Sequence, residues 1–281
     1  LFAAQKETSI RLYRGNDFTF IDEFTVGTDG IVRPLFFTRD NSYLFVLING
    51  KLLQKREVPT GYVVDEVAID VSDIATITLS PDGAFAFFTS QLEDKSRMFD
   101  VSSMKILTTY NGRAGAFTED SRYIYLANRG PRLFKLDKPD KNGEYDWEEL
   151  DYQGKGAVEG LSLHPDGSRL LIDTNLSRGD FFIYNVKDQR IVQKVDGENR
   201  NCRNIEYLPG GRLFVTYESP CLLVYRNSVD GSIVAKTPVH TQIGEQFIFS
   251  PNNRVYFTQN AEWFGVYREG SHIYYPGQRP D

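Results

Sequence analysis

Few residues of this sequence have the types and spacing that catalysis requires. The three histidines, His164, His240 and His272, are far apart in the chain, whereas a metal site needs several such ligands to converge. A Ser-His-Asp assembly would depend on His240, and the Gly-x-Ser-x-Gly element of a nucleophilic serine does not occur. We therefore predict no catalytic residue, no bound metal and no cofactor.

Two charged groups could instead bind a ligand. One consists of the carboxylates of Asp70, Asp73, Glu159 and Glu245, and oxygen ligands of this kind suit hard cations. Nothing in their spacing fixes a coordination geometry, so we interpret them as solvated loop residues. The other group consists of arginines: Arg33, Arg113, Arg129, Arg178, Arg200 and Arg203. Guanidinium groups bind carboxylate and phosphate through paired hydrogen bonds, which suits an acidic or phosphorylated peptide.

A repeat in the sequence defines the elements that position these residues. An apolar residue, a tight turn of Pro, Asp, Asn or Gly, and a strand of aromatic and β-branched residues recur six times at intervals of 38 to 46 residues. The copies begin at Phe37, Leu79, Phe117, Leu163, Tyr207 and Phe249. Each copy predicts a β-hairpin, and a second apolar pair follows, as in Arg97 to Tyr110 and Asp180 to Val195. One repeat therefore supplies four short antiparallel strands, a to d, with the repeated turn between a and b.

Four strands in about 42 residues, without a helical period, are typical of a β-propeller blade. The segments "SPDGAFAFFTS", "EDSRYIYLAN" and "MFDVSSMKILTTY" resemble the strand a/b and c/d units of the WD40-like and YVTN-type propeller superfamily. The Gly-His and Trp-Asp pairs of strict WD40 repeats are absent from these positions. The resemblance implies an all-β fold and an interaction role, with lactonase-like or quinoprotein-like propellers as the enzymatic alternative.

The first 27 residues align with strands b, c and d and lack strand a. Six full blades and this three-stranded one predict a seven-bladed propeller in which residues 1–281 form a single domain of a longer protein. The missing strand would come from residues that precede Leu1, or blade one has three strands. A segment after Gly270 that entered blade one as its inner strand would contradict this interpretation. Asn49-Gly50 predicts a type I′ hairpin, and the charged insertion from Lys138 to Asp146 predicts a solvated loop.

Propeller topology assigns each loop to one of two faces. The d-to-a and b-to-c loops share what we call the top face, and all six arginines fall in those loops. Acidic residues of the same loops could neutralise them. Trp263 lies in a b-to-c region and is either an aromatic anchor for a partner or a residue buried between blades. His164 lies in an a-to-b turn as a variant of Thr38, Ser80 and Ser250, which favours a structural role.

Composition limits the partner classes. The net charge of −6 argues against direct nucleic-acid binding, and no apolar run is long enough to cross a bilayer. Cys202 and Cys221 both fall on the top side of one blade; we favour free thiols over a disulfide, and an intracellular location in cytoplasm or nucleus.

The sequence thus predicts a non-catalytic interaction scaffold whose protein or peptide partner binds the top face around the central channel. The alternatives are a small-ligand or metal-binding propeller enzyme that uses the channel, and a structural module that packs through an exposed apolar patch elsewhere.

Overall fold

The computed structural model describes most of the chain. The described residues are 1–6, 8–15, 19–27, 32–69, 76–90, 95–128, 130–140, 142–175, 180–197, 203–208, 210–218, 222–238, 246–249, 255–259, 264–268 and 271–273. Side chains are not described at residues 2, 6, 76, 203, 204, 237 and 238 or beyond residue 245. The regular structure of the described residues is entirely β, and none of it is a helix that could span a membrane.

The strands form one three-stranded and six four-stranded antiparallel sheets, which we number in chain order. Sheet 1 comprises β1 (Phe2–Lys6), β2 (Ser9–Tyr13) and β3 (Phe20–Thr25). Sheet 2 comprises β4 (Val32–Phe37), β5 (Tyr43–Ile48), β6 (Leu52–Glu57) and β7 (Val63–Ala68). Sheet 3 comprises β8 (Thr76–Leu79), β9 (Phe85–Ser90), β10 (Lys95–Asp100) and β11 (Lys105–Asn111).

The remaining four sheets continue the same pattern. Sheet 4 comprises β12 (Ala114–Phe117), β13 (Tyr123–Ala127), β14 (Leu133–Asp137) and β15 (Trp147–Leu150). Sheet 5 comprises β16 (Val158–Leu163), β17 (Arg169–Thr174), β18 (Phe181–Asn185) and β19 (Arg190–Val195). Sheet 6 comprises β20 (Arg203–Tyr207), β21 (Leu213–Glu218), β22 (Leu222–Asn227) and β23 (Ile233–Pro238). Sheet 7 comprises β24 (Gln246–Phe249), β25 (Val255–Gln259), β26 (Phe264–Arg268) and β27 (Ser271–Ile273).

Every sheet is a meander in which each strand pairs with the next one in the chain. This order confirms the repeated hairpins and the all-β class, and the arrangement is propeller-like. Sheet 1 has three strands, as the sequence predicts for its first 27 residues. Within the described part of the chain, the strand after Gly270 is β27, and it pairs with β26 rather than with sheet 1.

The repeated turn has the same geometry in sheets 2 to 6. In sheet 3, for example, the backbone N–H of Ser80 donates to the carbonyl of Phe85, and the carbonyl of Ser80 accepts from the N–H of Gly83. The turns of the other four sheets contain the same two hydrogen bonds at the same spacing. The residue three positions ahead has a positive φ in every copy. These residues are Asn41, Gly83, Ser121, Gly167 and Gly211. The sixth copy, at Ser250, lies outside the described residues.

Two smaller predictions concern loops. Asn49 and Gly50 both have positive φ, 51° and 68°, and Lys51 donates its N–H to Ile48, so the type I′ hairpin between β5 and β6 is confirmed. In the insertion after β14, Asp140 accepts hydrogen bonds from the backbone of Asn142 and Glu144. The insertion is therefore an ordered turn built around one aspartate.

The chain divides into two compact units. Unit 1 contains residues Leu1–Tyr110 and Pro139–Glu144, and unit 2 contains Asn111–Lys138 and Tyr145–Asp281. In unit 1, one apolar cluster joins sheets 1 and 2 around Ile10 and Leu44, and another joins sheets 2 and 3 around Phe45 and Phe99. In unit 2, one cluster joins sheets 4 and 5 around Tyr125 and Tyr184, and another joins sheets 5 and 6. Each unit is therefore held together by sheets packed face to face.

The outermost strands of four sheets share one irregularity. The register of β3, β7, β19 and β23 against the preceding strand shifts by one residue. The extra residue of each bulge is an exposed β-branched aliphatic. These residues are Ile21, Val64, Val192 and Val234, with exposed fractions of 39%, 54%, 40% and 57%. A bulge twists a strand edge away from flat pairing.

A buried arginine closes the turn between the third and fourth strands of sheets 2 and 6. Arg56 donates to the carbonyl of Gly61, and Arg226 donates to the carbonyl of Gly231, in each case five residues ahead. Arg56 also reaches the carbonyl of Val26 in sheet 1, and Arg226 forms a buried ion pair with Glu218 at 2.8 Å. Arg56 thereby joins its turn to sheet 1, whereas Arg226 joins its turn to β21 of the same sheet and lies over the ring of Phe181 in sheet 5.

Candidate functional site

The structure describes three of the six predicted arginines. Arg33, the second residue of β4, is exposed, and Arg113 immediately precedes β12. Arg203 begins β20, where the backbone alone is described. The other candidates lie outside the described residues. These are Arg129, Arg178, Arg200 and Trp263, together with Asp70, Asp73, Glu245, Cys202, Cys221 and His240.

Arg113 forms an ion pair with Glu159 from the next sheet of unit 2. Its Nη1 donates to both carboxylate oxygens of Glu159, at 3.0 and 3.2 Å. The side chains are 14% and 31% exposed, so solvent screens the pair only in part. The pair links the first strands of sheets 4 and 5, and Arg113 is not a free guanidinium.

The repeat explains why these two residues meet. Arg33, Arg113, Glu159 and Arg203 each lie four residues before the apolar residue that opens the repeated turn, at Phe37, Phe117, Leu163 and Tyr207. Sheet 5 therefore carries a carboxylate at the sequence position of the repeat where sheets 2, 4 and 6 carry an arginine, although bulges in β4, β16 and β20 change the cross-strand register of this position. Among the described residues, Arg33 has no charged partner.

A bulge orients Glu159. On β16, Val158 lies opposite Thr174 and Gly160 lies opposite Asp173, so Glu159 is the extra residue between them. A bulge redirects the side chain that it carries. It allows Glu159 to reach Arg113 in sheet 4 while its neighbours keep their places in the sheet.

Asp173 on β17 is the most perturbed acid of the described residues. It is 4% exposed, and its Oδ1 has no hydrogen-bond partner. Burial raises the pKa of Asp173 to about 8; the backbone N–H of Thr174 lowers it, and the negative charge of Glu159 raises it further. The carboxyl group is therefore protonated at neutral pH.

Two further polar groups lie on strands of the same unit. Burial raises the pKa of Glu206, in the middle of β20, to about 7. Asn128, directly after β13, has a buried Oδ1 without a hydrogen-bond partner. Arg113 and Glu159 form an ion pair, and Glu159 acts electrostatically on Asp173, so we call these three residues the inner polar cluster. Asp173 Oδ1 has no hydrogen-bond partner among the described residues and could accept a hydrogen bond from a ligand.

The sequence prediction did not include Asp173 and Glu206. Asp173 lies ten residues after Leu163, and the corresponding residues of the other five copies are Leu47, Thr89, Ala127, Tyr217 and Gln259. The first four are buried, and the side chain of Gln259 lies outside the described residues. Alignment of the copies would therefore have identified Asp173 as an acid at a buried position.

Of the histidines, only His164 has a described side chain; His272 lies on β27 with its backbone alone described. His164 Nδ1 lies 2.6 Å from Asp166 Oδ1, and Nε2 lies 2.9 Å from the carbonyl oxygen of Gly211. His164 therefore contacts Asp166 in its own turn and Gly211 in the corresponding turn of sheet 6. In the described part of the chain, no group of three or more His, Cys, Asp or Glu residues could hold a metal ion.

Comparison with known proteins identifies the fold alone. No family model matches the chain, and no curated protein matches it. Among solved structures, the chain is similar to Kuenenia stuttgartiensis hydrazine synthase, with a TM-score of 0.64 and 17% sequence identity over 82% of this chain and 74% of that one. The solved structures include 1711 matching chains. Because the fold recurs so often, the likeness supports a propeller-like architecture and selects no activity.

Proposed function

We propose that this chain is a seven-bladed, WD40-like β-propeller that acts as a non-catalytic platform for a protein or peptide partner. The partner site lies on the top face, at the ends of the first strands, and accepts an acidic or phosphorylated segment. Rigid sheets that carry variable loops are suited to this role. One three-stranded and six four-stranded sheets support the count of seven blades.

The observation that carries the proposal is the contrast between Arg33 and Arg113. The two residues lie at the same sequence distance from the repeated turn, and a bulge at Leu35 places Arg33 opposite Leu47. Arg113 is held by Glu159, whereas Arg33 is exposed. In the described residues, no carboxylate pairs with Arg33. An unpaired guanidinium at a strand end can form two hydrogen bonds to a carboxylate or phosphate.

Replacement of Arg33 tests the proposal. Proteins captured from a cell lysate by the wild-type chain, Arg33→Glu and Arg39→Glu should be quantified in parallel. Arg39 is an exposed arginine of the same sheet, in the turn at the other end of β4, and it provides the matched control. We expect a partner recovered by wild type and Arg39→Glu to fall severalfold with Arg33→Glu, because charge reversal at a contact replaces attraction by repulsion.

Equal recovery by all three proteins would remove Arg33 from the partner site. The inner polar cluster of unit 2 would then be the remaining candidate. Its protonated Asp173, with an unpaired oxygen, favours a small-ligand binder of the kind that uses a propeller channel, because strongly perturbed acids are concentrated at functional sites.

A further inference from the structure

The outer strand of sheet 4 lacks the irregularity of four other outer strands. β3, β7, β19 and β23 each shift by one residue against the preceding strand. β15 instead pairs with β14 in one continuous register, from Leu133 opposite Leu150 to Leu136 opposite Trp147. An edge without a bulge keeps the regular geometry to which another strand can pair. The edge of β15 is therefore suited to a further strand in a way that the bulged edges are not.

The pairing with β14 determines which backbone groups of β15 face away from the sheet. The N–H of Asp137 donates to the carbonyl of Asp146 at 2.9 Å, so these two residues form a hydrogen-bonded pair of the antiparallel ladder. Such pairs alternate with pairs that are not hydrogen-bonded, and in this register the latter contain Trp147 and Glu149. The N–H and C=O groups of Trp147 and Glu149 therefore point to the open edge, where no described residue forms a hydrogen bond with them.

The open edge is short, because sheet 5 occupies its far end. The N–H of Asp151, directly after β15, donates to Gln189 Oε1 at 3.0 Å, and the hydroxyl of Tyr184 donates to the carbonyl of Asp151 at 3.2 Å. The backbone donors and acceptors of Trp147 and Glu149 remain. They can bind a segment of about three residues that lies alongside as an added strand.

The side chains along this edge are acidic. Asp146, Glu148, Glu149 and Asp151 are all exposed, and the segment that contains them, 145–151, has no basic residue. An edge with this charge attracts a basic segment and repels an acidic one.

Two basic side chains of sheet 4 neutralise the edge only in part. Arg132 donates to both carboxylate oxygens of Glu149, at 2.7 and 2.5 Å, whereas Lys135 Nζ lies 3.7 Å from Glu148 Oε1. The other two carboxylates of the edge form no ion pair with a described residue. Net negative charge therefore remains at the open edge.

Trp147 provides an aromatic surface beside these charges. It is 60% exposed, and its ring packs edge-on against Phe134 with the centroids 5.8 Å apart. A pocket of about 140 Å³ beside it is lined by Lys135, Asp137, Asp146, Trp147 and Glu148. This volume is well below the roughly 300 Å³ at which small-molecule sites begin, so the pocket suits a single side chain. A lysine or arginine fits its chemistry, because an indole ring attracts cations and three of the lining residues carry carboxylates.

We propose that the outer edge of β15 binds a basic, extended segment of a partner protein, which joins sheet 4 as a fifth strand. The backbone of this segment pairs with Trp147 and Glu149, and one of its lysine or arginine side chains enters the pocket beside Trp147. A second copy of β15 does not suit the edge, because its carboxylates would face those of the first. The site takes a segment of opposite charge to the one proposed for the top face, and neither site depends on the other.

A synthetic strand tests the proposal on the unmodified protein. The probe is a fluorescent peptide of about seven alternating lysine and threonine residues, since threonine favours the extended conformation and lysine supplies the charge. The matched probe has N-methyl groups on its central residues, which remove backbone donors and keep every charge. Fluorescence anisotropy measures the affinity of both. We expect methylation to weaken binding roughly tenfold or more, because hydrogen bonds to the edge are lost.

The charge of the probe is tested in the same assay. A peptide of alternating glutamate and threonine should not bind, because its carboxylates would meet those of β15. Equal binding of the methylated and unmethylated lysine peptides would show attraction between charges without strand pairing and would overturn the proposal. Failure of the unmethylated lysine peptide to bind would overturn it as well.

Charge reversal at Glu148 locates the site. Glu148→Lys should weaken binding of the lysine peptide severalfold, because an attractive charge at the contact becomes repulsive. Asp65→Lys makes the same change of charge at an exposed residue of β7, an outer strand with a bulge, and should bind the peptide as wild type does. Equal weakening in both variants would mean that the peptide responds to net charge alone. That result, or a Glu148→Lys variant that binds as wild type does, would overturn the assignment to β15.

Discussion

At the scale of single residues, the unusual feature is an acid buried among apolar side chains. Asp173 on β17 lies opposite Phe181 on one side and Gly160 on the other, and it faces the apolar cluster between sheets 5 and 6. Its pKa of about 8 lies far above the value near 3.9 of an unfolded chain. The folded protein therefore binds this proton more tightly than the unfolded chain does.

Asp173 should make the stability of the protein fall with rising pH. Its contribution is complete below about pH 4 and is lost as the pH rises through about 8, and the loss is on the order of several kcal/mol. Asp173→Asn does not titrate, so its free energy of unfolding should decline less than that of wild type between about pH 5 and pH 9. Urea unfolding across that range measures both. Asp65→Asn, at an exposed position of β7, should follow wild type; an Asp173→Asn curve parallel to wild type would contradict the assigned pKa.

The ion pair between Arg113 and Glu159 shows what residue types alone do not predict. The sequence placed Arg113 in a binding surface and Glu159 among solvated loop residues, because each was considered within its own loop. Their meeting depends on the packing of sheet 4 against sheet 5 and on a bulge at Glu159. A bulge results from cross-strand pairing that no local pattern of residues encodes.

At the scale of elements, the turns between third and fourth strands depend on close backbone approach. Gly61 and Gly231 have φ values of +73° and +70°. A Cβ at Gly61 would lie 2.4 Å from ring carbons of Phe24, and one at Gly231 would lie 2.4 Å from Val195 Cγ2. The buried arginines Arg56 and Arg226 donate to the carbonyls of these same glycines. Each turn can therefore adjust little to an added methyl group.

Gly61→Ala should destabilise the protein by roughly 2–4 kcal/mol, from backbone strain at positive φ and from the overlap with Phe24. Gly27→Ala is the matched control in the same unit, since Gly27 has a φ of +77° with no atom within 4 Å of its Cβ position. Chemical denaturation of both variants separates the cost of backbone strain at positive φ, which both variants have, from the cost of the overlap with Phe24, which Gly61→Ala alone has. Equal losses in the two variants would show that the approach to Phe24 contributes nothing.

The a-to-b turns were predictable at this scale because their chemistry is local. Asn, Gly or Ser takes the positive-φ position in all five described copies, and Asp40, Asp82, Asp120 and Asp166 accept from the donor two residues before. The bulges of β3, β7, β19 and β23 were not predicted, since Ile21, Val64, Val192 and Val234 look in sequence like ordinary strand residues.

At the scale of the whole molecule, burial differs between the strands of each sheet whose side chains are described, and it is greatest at an inner strand. The second strands β5, β9, β17 and β21 are almost fully buried and pair on both sides. The last strands of sheets 1, 2, 4 and 6 are largely exposed, namely β3, β7, β15 and β23. The strands that directly follow the repeated turn are rich in aromatic and β-branched residues, which suits their burial. The division into two units has no counterpart in the repeat.

Amide hydrogen exchange should follow the same gradient in both units. Amides of β5, β9, β17 and β21 should exchange only through the opening reactions with the highest free-energy cost. Amides of β3, β7 and β23 should exchange severalfold to many times faster, because each of these strands pairs on one side only among the described strands. Exchange followed by mass spectrometry at constant pH measures this order. Equal protection of β7 and β5 would mean that another element covers the outer strand.

The bulged outer strands also bear on how concentrated solutions of this protein behave. A straight outer strand with apolar side chains is a template on which another molecule can assemble, and it leads towards fibrils. Deletion of Val64 or Val234 would remove the extra residue, straighten the edge and restore a regular alternation. The exposed aliphatic residue that looks like a defect in each outer strand therefore helps to keep the molecules apart.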